Sequence, residues 1–189
     1  MSDHHLKEET LESRPVFQGS LVKVWSDRVR LPNGEEAGRE YIRHPGAVAV
    51  IARLGNGNLL FERQYRHPLG RVMLELPAGK IDPGEDLLAC AQRELREETG
   101  YLARRWRLLG TIHPCIGYSD EHIDFFLADD LHLVGSALDE GEFIELVEMS
   151  LEEAIAAVLD GRITDGKTVA GLFWVSQVLG SNPPPRSVR

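Results

Sequence analysis

Four glutamates and one arginine occur at fixed spacing within residues 79–101, which read GKIDPGEDLLACAQRELREETGY. The glutamates are Glu85, Glu94, Glu97 and Glu98. Like charges four residues apart on a helix cost about 0.2–0.5 kcal/mol, so Glu94 and Glu98 are unfavourable together unless a cation offsets them. Arg93 can pair with Glu97 but cannot neutralise three carboxylates. Carboxylate oxygens clustered in this way suit Mg²⁺ or Mn²⁺, which also bind waters and phosphate oxygens; a solvated acidic face is the alternative.

The same spacing predicts the helix that must position these acids. Asp82 is placed to cap it, Pro83 suits its first position, and Glu85 is placed to close a capping box. Gly100 supplies the C-terminal stop. At about 100° per residue, the glutamates lie on an arc next to an apolar stripe, which consists of Leu88, Ala91 and Leu95. One face of the helix therefore packs against a core, and the adjacent face presents carboxylates.

The segment resembles a complete Nudix box, G-x5-E-x7-R-E-U-x-E-E-x-G-U, in which U is a bulky aliphatic residue. Tyr101 at the last U is a mild departure. The resemblance implies that Glu94 and Glu98 are the main metal ligands, with Glu97 and the backbone carbonyl of Ala78 as further ones. It implies two or more Mg²⁺ ions per site, with Mn²⁺ as the alternative. Four residues would hold the loop and helix in shape: Gly79, Glu85, Arg93 and Gly100.

Length and charge limit the class of protein. With 189 residues, the chain suits one domain, or one domain with a short appendage. Its hydrophobic content of 42% and charged content of 27% are ordinary for a globular protein. The net charge of −9 argues against broad attraction to nucleic acid or anionic lipid. There is no membrane-spanning stretch, and the polar N-terminus lacks the apolar region of a signal peptide, so we expect a cytoplasmic protein.

Turn residues divide the chain into short strands. A Pro-Asn-Gly turn separates strand residues 16–30 from 38–42 and predicts an N-terminal β-hairpin. An Asn-Gly tip separates residues 47–54 from 59–65 and predicts a second hairpin. Later strands are expected at residues 72–76, 106–112, 122–127 and 143–149.

Two further helices follow the box helix, at residues 151–160 after the cap Ser150 and at residues 165–179. Mixed strands with three helices predict an α+β protein, and the resemblance implies the Nudix α/β/α sandwich with a mixed β-sheet. We predict four segments: a disordered N-terminus at 1–14, a β-hairpin extension for dimerisation at 15–43, the Nudix hydrolase domain at 44–180, and a disordered tail at 181–189.

Segments before and after the box, one of which runs into its first residues, resemble the ADP-ribose pyrophosphatase branch of the Nudix family. They are REYIRHPGAVAV, QYRHPLGRVMLELPAGKID, IGYSDE and ALDEGEFIEL, although Ile116 stands where the branch commonly has a proline. The resemblance implies metal-dependent hydrolysis of the pyrophosphate bond of ADP-ribose to AMP and ribose 5-phosphate. One alternative is hydrolysis of another nucleoside diphosphate sugar, such as GDP-mannose. Another is a non-catalytic sensor that binds ADP-ribose, although all four box glutamates are present.

The resemblance also assigns catalytic residues. Glu142, in the loop segment DEGEF, would be the base that deprotonates or orients the attacking water. Glu140 and Glu145 are the alternatives in the same segment. Glu97 would be catalytic as well as a metal ligand. Arg66 would bind a phosphate through charge-assisted hydrogen bonds.

The remaining implied contacts concern the two ends of the substrate. Arg39 and Glu40 resemble a pair that contacts the adenosine end, and Glu121 resembles a loop acid near the terminal ribose or the metal. In this branch a comparable N-terminal extension reaches a second subunit, so the resemblance implies a homodimer. Trp25 or Tyr41 on the extension would stack on adenine or pack in the dimer.

Overall fold

The computed structural model describes residues 3–135, 141 and 143–180, and the chain divides into two compact units. The first unit comprises Met1–Pro45 and Cys115–His122, and the second comprises Gly46–Pro114 and Ile123–Arg189. Among the helices described, none combines the length and apolar character needed to cross a membrane.

The first unit is built on three strands: β1 (Glu9–Gln18), β2 (Lys23–Arg30) and β3 (Glu36–Ile42). They form an antiparallel sheet in the order β1-β2-β3. Gly34 closes the turn between β2 and β3 in the left-handed region, at φ 90°, and its N–H donates to the carbonyl of Leu31. In the second segment of this unit, Tyr118 accepts the N–H of Ile42 and Asp120 donates its N–H to the Ile42 carbonyl. Backbone hydrogen bonds therefore join that segment to the end of β3.

The structure differs from the predicted N-terminal hairpin, because a third strand begins at Glu9, within the segment expected to be disordered. That segment is polar and gave no apolar alternation to read. Ion pairs between strands support it instead: Glu9 lies 2.9 Å from Arg30, and Glu12 lies 3.4 Å from Arg28. Such exposed pairs contribute less than about 1 kcal/mol each. The backbone hydrogen bonds with β2 therefore contribute most to holding β1 in the sheet.

The second unit contains a mixed sheet and an antiparallel sheet. The mixed sheet consists of β4 (Ala47–Ala52), β7 (Ala78–Lys80), β8 (Tyr101–Ile112) and β9 (Ile123–Leu133). Its order is β7-β4-β9-β8, and β4 runs parallel to β9 while the other neighbours are antiparallel. The antiparallel sheet consists of β5 (Leu59–Arg66), β6 (Arg71–Glu75) and β10 (Ile144–Met149), in the order β10-β5-β6.

Helices pack on both faces of the mixed sheet. They are α1 (Leu87–Thr99), α2 (Leu151–Leu159) and α3 (Gly166–Gly180). Because side chains on a strand alternate between faces, β4 contributes alternate residues to two apolar cores. One core, with α1, contains Val48, Val50, Ala91 and Leu95. The other, with α3, contains Ala49, Ile51, Leu172 and Val175. The predicted α/β/α sandwich with a mixed sheet is therefore confirmed.

The predicted second hairpin is wrong beyond its turn. Arg53 and Leu59 form an isolated bridge next to the Asn-Gly tip, after which β4 and β5 enter different sheets. Every residue of β4 is buried, and both edges of that strand are already paired, by β7 and β9. No edge of β4 is left for β5.

Helix α2 begins as predicted. Ser150 Oγ accepts the N–H of Glu153 at 3.1 Å, and the Glu153 carboxylate accepts the N–H of Ser150 at 2.8 Å. These two bonds form a capping box, which satisfies backbone donors that a helix start leaves free.

Candidate active site

Helix α1 begins at Leu87, and its N-cap is Asp86 rather than the predicted Asp82. The preceding residues form a turn, because Gly84 has a left-handed φ of 80° that cannot continue a right-handed helix. Glu85 donates its N–H to the Asp82 carbonyl at 3.0 Å, and Asp82 donates its N–H to the Glu85 carboxylate at 3.1 Å. The bond expected to close a capping box therefore closes this turn.

Gly100 ends α1 as predicted. It has a left-handed φ of 75°, and its N–H donates to the carbonyl of Arg96 at 2.9 Å. This arrangement satisfies a carbonyl at the C-terminal end of the helix. The acidic helix is therefore bounded at both ends by local contacts.

The acidic face of α1 is buried against β7. Glu94 and Glu98 are only 9% and 7% exposed, and Glu98 accepts the N–H of Ala78 at 3.0 Å. A Cβ added to Gly79 would lie 1.9 Å from the Glu94 carboxylate, so glycine is required for this side chain to lie across the strand. Glu97 is half-buried. The interpretation as a solvated acidic face is wrong for Glu94 and Glu98.

Arg93 links three of the four box glutamates to one another. Its Nε and Nη2 each donate to Glu85 at 2.9 Å, and Nη2 also donates to the carbonyl of Lys80 at 3.1 Å. Its Nη1 donates to Glu94 at 2.8 Å and to Glu97 at 3.1 Å. The hydrogen bond from Arg93 lowers the pKa of Glu85 to about 2. These contacts support the predicted structural roles of Arg93 and Glu85.

The donor chemistry of the cluster suits a hard divalent cation. Glu94, Glu97 and Glu98 offer oxygen ligands, which Mg²⁺ and Mn²⁺ prefer, and the Glu94 carboxylate lies directly beside Gly79. In the described part of the chain, no three acidic, His or Cys side chains are grouped closely enough to hold an ion as they stand. Arg93 binds Glu94 and Glu97 instead. An ion bound by these acids would therefore compete with Arg93 for their oxygens.

Arg66 lies at the end of β5, and Glu75 of β6 holds its guanidinium. Nε donates to one Glu75 oxygen at 2.7 Å, and Nη2 donates to the other at 2.9 Å. The hydrogen bond to Glu75 raises the pKa of Arg66, and the charges of Glu62 and Glu98 add to this effect. Arg66 is therefore a charged side chain that Glu75 holds through two hydrogen bonds.

Three other predicted substrate residues belong to the first unit. Arg39 and Glu40 are exposed neighbours on β3, and Arg39 pairs with Glu8 through Nε at 3.0 Å. The Glu121 carboxylate lies 3.9 Å from Nδ1 of His44. The structure thus places these three residues in the first unit, whereas the box belongs to the second.

The aromatic residues predicted to contact adenine or a dimer partner also lie in the first unit. The Arg43 guanidinium lies 3.6 Å from the centre of the Trp25 ring, which is the geometry of a cation–π contact. Arg43 also donates to the Tyr41 hydroxyl at 3.0 Å, and that hydroxyl donates to Asp27 at 3.2 Å. One face of Trp25 is therefore covered by an arginine of its own unit.

The predicted base, Glu142, lies outside the described residues, as does its alternative Glu140. The other alternative, Glu145, lies on β10 opposite Arg63 and pairs with it at 2.5 Å. This ion pair gives Glu145 a partner on the neighbouring strand. Glu142 stays the predicted base.

Sequence reasoning missed Glu75 as the partner of Arg66, and Lys167 as a second partner of Glu75. Glu75 accepts hydrogen bonds from both Arg66 and Lys167, and Lys167 lies 92 positions further along the chain. No helical or strand period joins residues so far apart. The local signal is Asp165, directly before α3, which accepts the N–H of Thr168 and fits an N-cap of that helix.

Two family descriptions match this chain. The NUDIX domain matches residues 43–172, and the nucleoside diphosphate sugar hydrolase N-terminal domain matches residues 8–42. The methanol dehydrogenase activator of Bacillus methanolicus is 42% identical over 89% of this chain and 92% of its own length. The ADP-ribose pyrophosphatase of Bacillus subtilis (strain 168) is 39% identical over 90% of this chain and 93% of its own length.

Two further similarities bear on the substrate and the fold. The GDP-mannose pyrophosphatase of Yersinia enterocolitica is 36% identical over 74% of this chain and 77% of its own length. A crystal structure of an ADP compounds hydrolase superposes with a TM-score of 0.84 at 26% identity, and the match covers 92% of this chain and 95% of that one.

Proposed function

This chain belongs to the NUDIX domain family, and we propose that it hydrolyses the pyrophosphate bond of ADP-ribose to give AMP and ribose 5-phosphate. The observation that carries the proposal is the burial of Glu94, whose carboxylate lies against Gly79, and of Glu98, which accepts the N–H of Ala78. Clustered buried carboxylates are costly unless positive charge offsets them, and a divalent cation would supply such charge. The relatives named as ADP-ribose pyrophosphatase and ADP compounds hydrolase support the choice of substrate.

The chemistry requires positive charge beside the substrate. Both phosphates of a pyrophosphate are negative and repel an anionic nucleophile, and divalent cations, when bound, neutralise this charge and polarise a water molecule. Glu94, Glu97, Glu98 and the backbone carbonyl of Ala78 would hold them, with Mg²⁺ as our proposed ion and Mn²⁺ as the alternative. The water oxygen forms a bond to one phosphorus, and the bond from that phosphorus to the bridging oxygen breaks. The bridging oxygen leaves with the other product.

Side chains of this protein would perform the remaining tasks. Glu142 would accept the proton of the attacking water as a general base, and Glu97 would assist beside its role as a ligand. Arg66 would donate charge-assisted hydrogen bonds to a phosphate, from the position in which Glu75 holds it.

We also propose substrate contacts for three residues outside the box. Arg39 and Glu40 would contact the adenosine end, and Glu121 would contact the terminal ribose or a metal. The match of residues 8–42 to the nucleoside diphosphate sugar hydrolase N-terminal domain supports a substrate of this class. A homodimer and a cytoplasmic location stay predictions.

Turnover of a substrate panel tests the reaction. Turnover of ADP-ribose, GDP-mannose and NADH would be measured in the presence of Mg²⁺ and, separately, of Mn²⁺. We expect kcat/KM to be highest for ADP-ribose, with AMP and ribose 5-phosphate as products. GDP-mannose is the second candidate because of the similarity to GDP-mannose pyrophosphatase. Tight binding of ADP-ribose with no turnover of any panel member would contradict the proposal and favour a sensor.

A paired substitution tests the cluster that carries the proposal. Changing both Glu94 and Glu98 to Gln should lower kcat/KM by at least about 100-fold, which corresponds to about 2.7 kcal/mol. Mg²⁺ should raise the Tm of the parent protein but not of this variant, because an ion bound only to the native state stabilises it. Glu152→Gln, at an exposed position in the first turn of α2, is the control and should behave as the parent. Full turnover in the double variant, or in the parent after chelation, would refute the assignment.

A further inference from the structure

Glu75, the last residue of β6, has a buried carboxylate that binds two positively charged side chains. It is 3% exposed. Arg66 donates to both of its oxygens, at 2.7 Å and 2.9 Å, and Nζ of Lys167 donates to Oε2. Burial by itself would raise the pKa of Glu75, but the hydrogen bond from Arg66 and the charge of Lys167 outweigh burial and lower its pKa. The carboxylate is therefore ionised at neutral pH, and it depends on both cations.

Lys167 is itself fixed by the first turn of α3. Its Nζ donates to Oδ2 of Asp165 at 2.9 Å, and the same oxygen accepts the N–H and the hydroxyl of Thr168, at 3.0 Å and 2.7 Å. The Thr168 hydroxyl oxygen accepts the N–H of Leu76 at 2.9 Å. Since Leu76 directly follows β6, these bonds attach the start of α3 to the strand that ends with Glu75.

The two cations on Glu75 differ in exposure. The Arg66 side chain is 41% exposed, whereas the Lys167 side chain is 12% exposed. The pair with Glu75 uses Nε and Nη2 of Arg66, so the Nη1 donors take no part in it. Lys167 directs its ammonium at Glu75 and Asp165. Arg66 can therefore reach a ligand from solvent, while Lys167 acts on the carboxylate behind it.

We infer that Lys167 is a positioning residue, which holds the Glu75 carboxylate so that Arg66 presents its guanidinium to a substrate phosphate. The inference rests on the proposed function for the identity of that phosphate. Without Lys167, Oε2 of Glu75 loses its second donor, and the carboxylate is no longer fixed in the geometry that orients Arg66. One uncompensated negative charge also remains close to Arg66, where Glu62 and Glu98 already contribute negative charge.

A substitution that keeps the side-chain stem tests the inference. Lys167→Met should raise KM for ADP-ribose about tenfold while kcat stays within about twofold, because a lost binding interaction appears mainly in KM. Arg66→Met should raise KM at least as much. If Lys167 acts through Arg66, adding Lys167→Met to Arg66→Met should have little further effect on KM. If the double variant instead raised KM by the product of the two single effects, the inference would be overturned.

Two controls separate positioning from loss of charge and from loss of stability. Arg162→Met removes an exposed cation paired with Asp160 at 2.8 Å in the same unit and should leave KM unchanged. Lys167→Met combined with Glu75→Gln removes both charges of the buried pair, so its Tm should recover towards that of the parent. KM should nevertheless stay raised, because the neutral Gln at position 75 no longer gives Arg66 an ionised partner. Recovery of KM together with Tm would show that Lys167 serves stability alone.

A readout without turnover separates this inference from the proposed function. The Nε–H of Arg66 donates to Glu75, so its exchange with solvent, followed by NMR and assigned through its loss in Arg66→Met, reports the pair directly. We expect this exchange to be at least about tenfold faster in Lys167→Met. Unchanged exchange would overturn the inference whatever the substrate is. Failure of the parent to hydrolyse ADP-ribose would instead refute the proposed function.

Discussion

The carboxylate of Glu94 occupies the space in which a side chain at position 79 would begin: a Cβ on Gly79 would lie 1.9 Å from it. Atoms that are not bonded cannot approach so closely, so one of the two groups would have to move. The relationship joins the short strand β7 to helix α1 at the point where the acids cluster. It explains why the box requires a glycine before the turn.

Gly79→Ala should therefore displace the Glu94 carboxylate. We expect kcat/KM for ADP-ribose to fall at least about 100-fold, or about 2.7 kcal/mol, because a proposed metal ligand leaves its position. Gly55→Ala is the control, since no atom lies within 4 Å of an added Cβ there. Steady-state kinetics and circular dichroism would separate loss of activity from loss of fold. Unchanged kinetics in Gly79→Ala would show that the close contact is unimportant.

The start of α1 can be tested by comparing two aspartates. Asp86 accepts hydrogen bonds from the backbone N–H of Leu88 at 2.9 Å and of Ala89 at 3.3 Å. Asp86→Ala should lower the free energy of unfolding by about 1 kcal/mol, which is typical of a lost N-cap. Asp82→Ala should lower it by less than about 0.5 kcal/mol. Urea unfolding would measure both free energies. A larger loss in Asp82→Ala than in Asp86→Ala would indicate that Asp82 is the cap after all.

Acid should remove the contribution of the Glu85–Arg93 pair to the free energy of unfolding. The pKa of Glu85 is lowered from 4.5 to about 2, so its folded form binds protons more weakly than its unfolded form. The resulting stabilisation is complete above about pH 4.5 and is lost as the pH falls towards about 2. Glu85→Gln should therefore be less stable than the parent at about pH 7, and the difference in urea midpoint should narrow at about pH 3.

A second variant checks that the smaller difference in urea midpoint at low pH is specific to the Glu85–Arg93 pair. Glu36→Gln removes an exposed pair with Arg28, 2.9 Å long in the parent, and should change the urea midpoint little at either pH. A difference between parent and Glu85→Gln that stays constant down to about pH 3 would contradict the low pKa of Glu85.

Packing in the α3 core can be tested at Gly110 of β8. A Cβ there would lie 2.7 Å from Cζ2 of Trp174, and a rigid indole ring cannot bend away. Overpacking of this kind costs about 1–3 kcal/mol, more than the gain of about 0.5–1 kcal/mol expected when glycine is replaced within a strand. Gly110→Ala should therefore lower the Tm.

Gly38, on β3, is a matched strand glycine for that test. No atom lies within 4 Å of an added Cβ at Gly38, so Gly38→Ala should leave the Tm unchanged or raise it slightly. Thermal unfolding followed by circular dichroism would compare the two variants. Equal stability would contradict the packing of Trp174 against β8.

Local contacts were predictable from sequence. Gly100 ends α1 and Ser150 caps α2 as expected, because each interaction spans only a few residues and depends on the side chain present. The start of α1 was predicted wrongly at Asp82, since Pro83 and Glu85 fit a helix start equally well. The left-handed backbone of Gly84 and the hydrogen bonds to the cap Asp86 distinguish the turn from the helix.

Strand pairing was less predictable. The strands on either side of the Asn-Gly tip were identified, but β4 pairs with β7 and β9 instead of β5. Pairing depends on which edges remain free once distant segments have come together, and hydrophobic alternation along one strand does not report this. The polar strand β1 had no such alternation to detect.

The sequence alone determined the acidic helix, its spacing and the chemistry of its oxygen donors, because residues 93–98 lie within two helical turns and their geometry follows from the helical period. The tertiary structure decided which acids are buried and what supports Arg66. Glu94 lies against Gly79 because β7 packs beside α1. Arg66 of β5 pairs with Glu75 of β6, and Glu75 also binds Lys167 in the first turn of α3. Contacts between residues 92 positions apart depend on packing of the whole unit, and no local spacing encodes them.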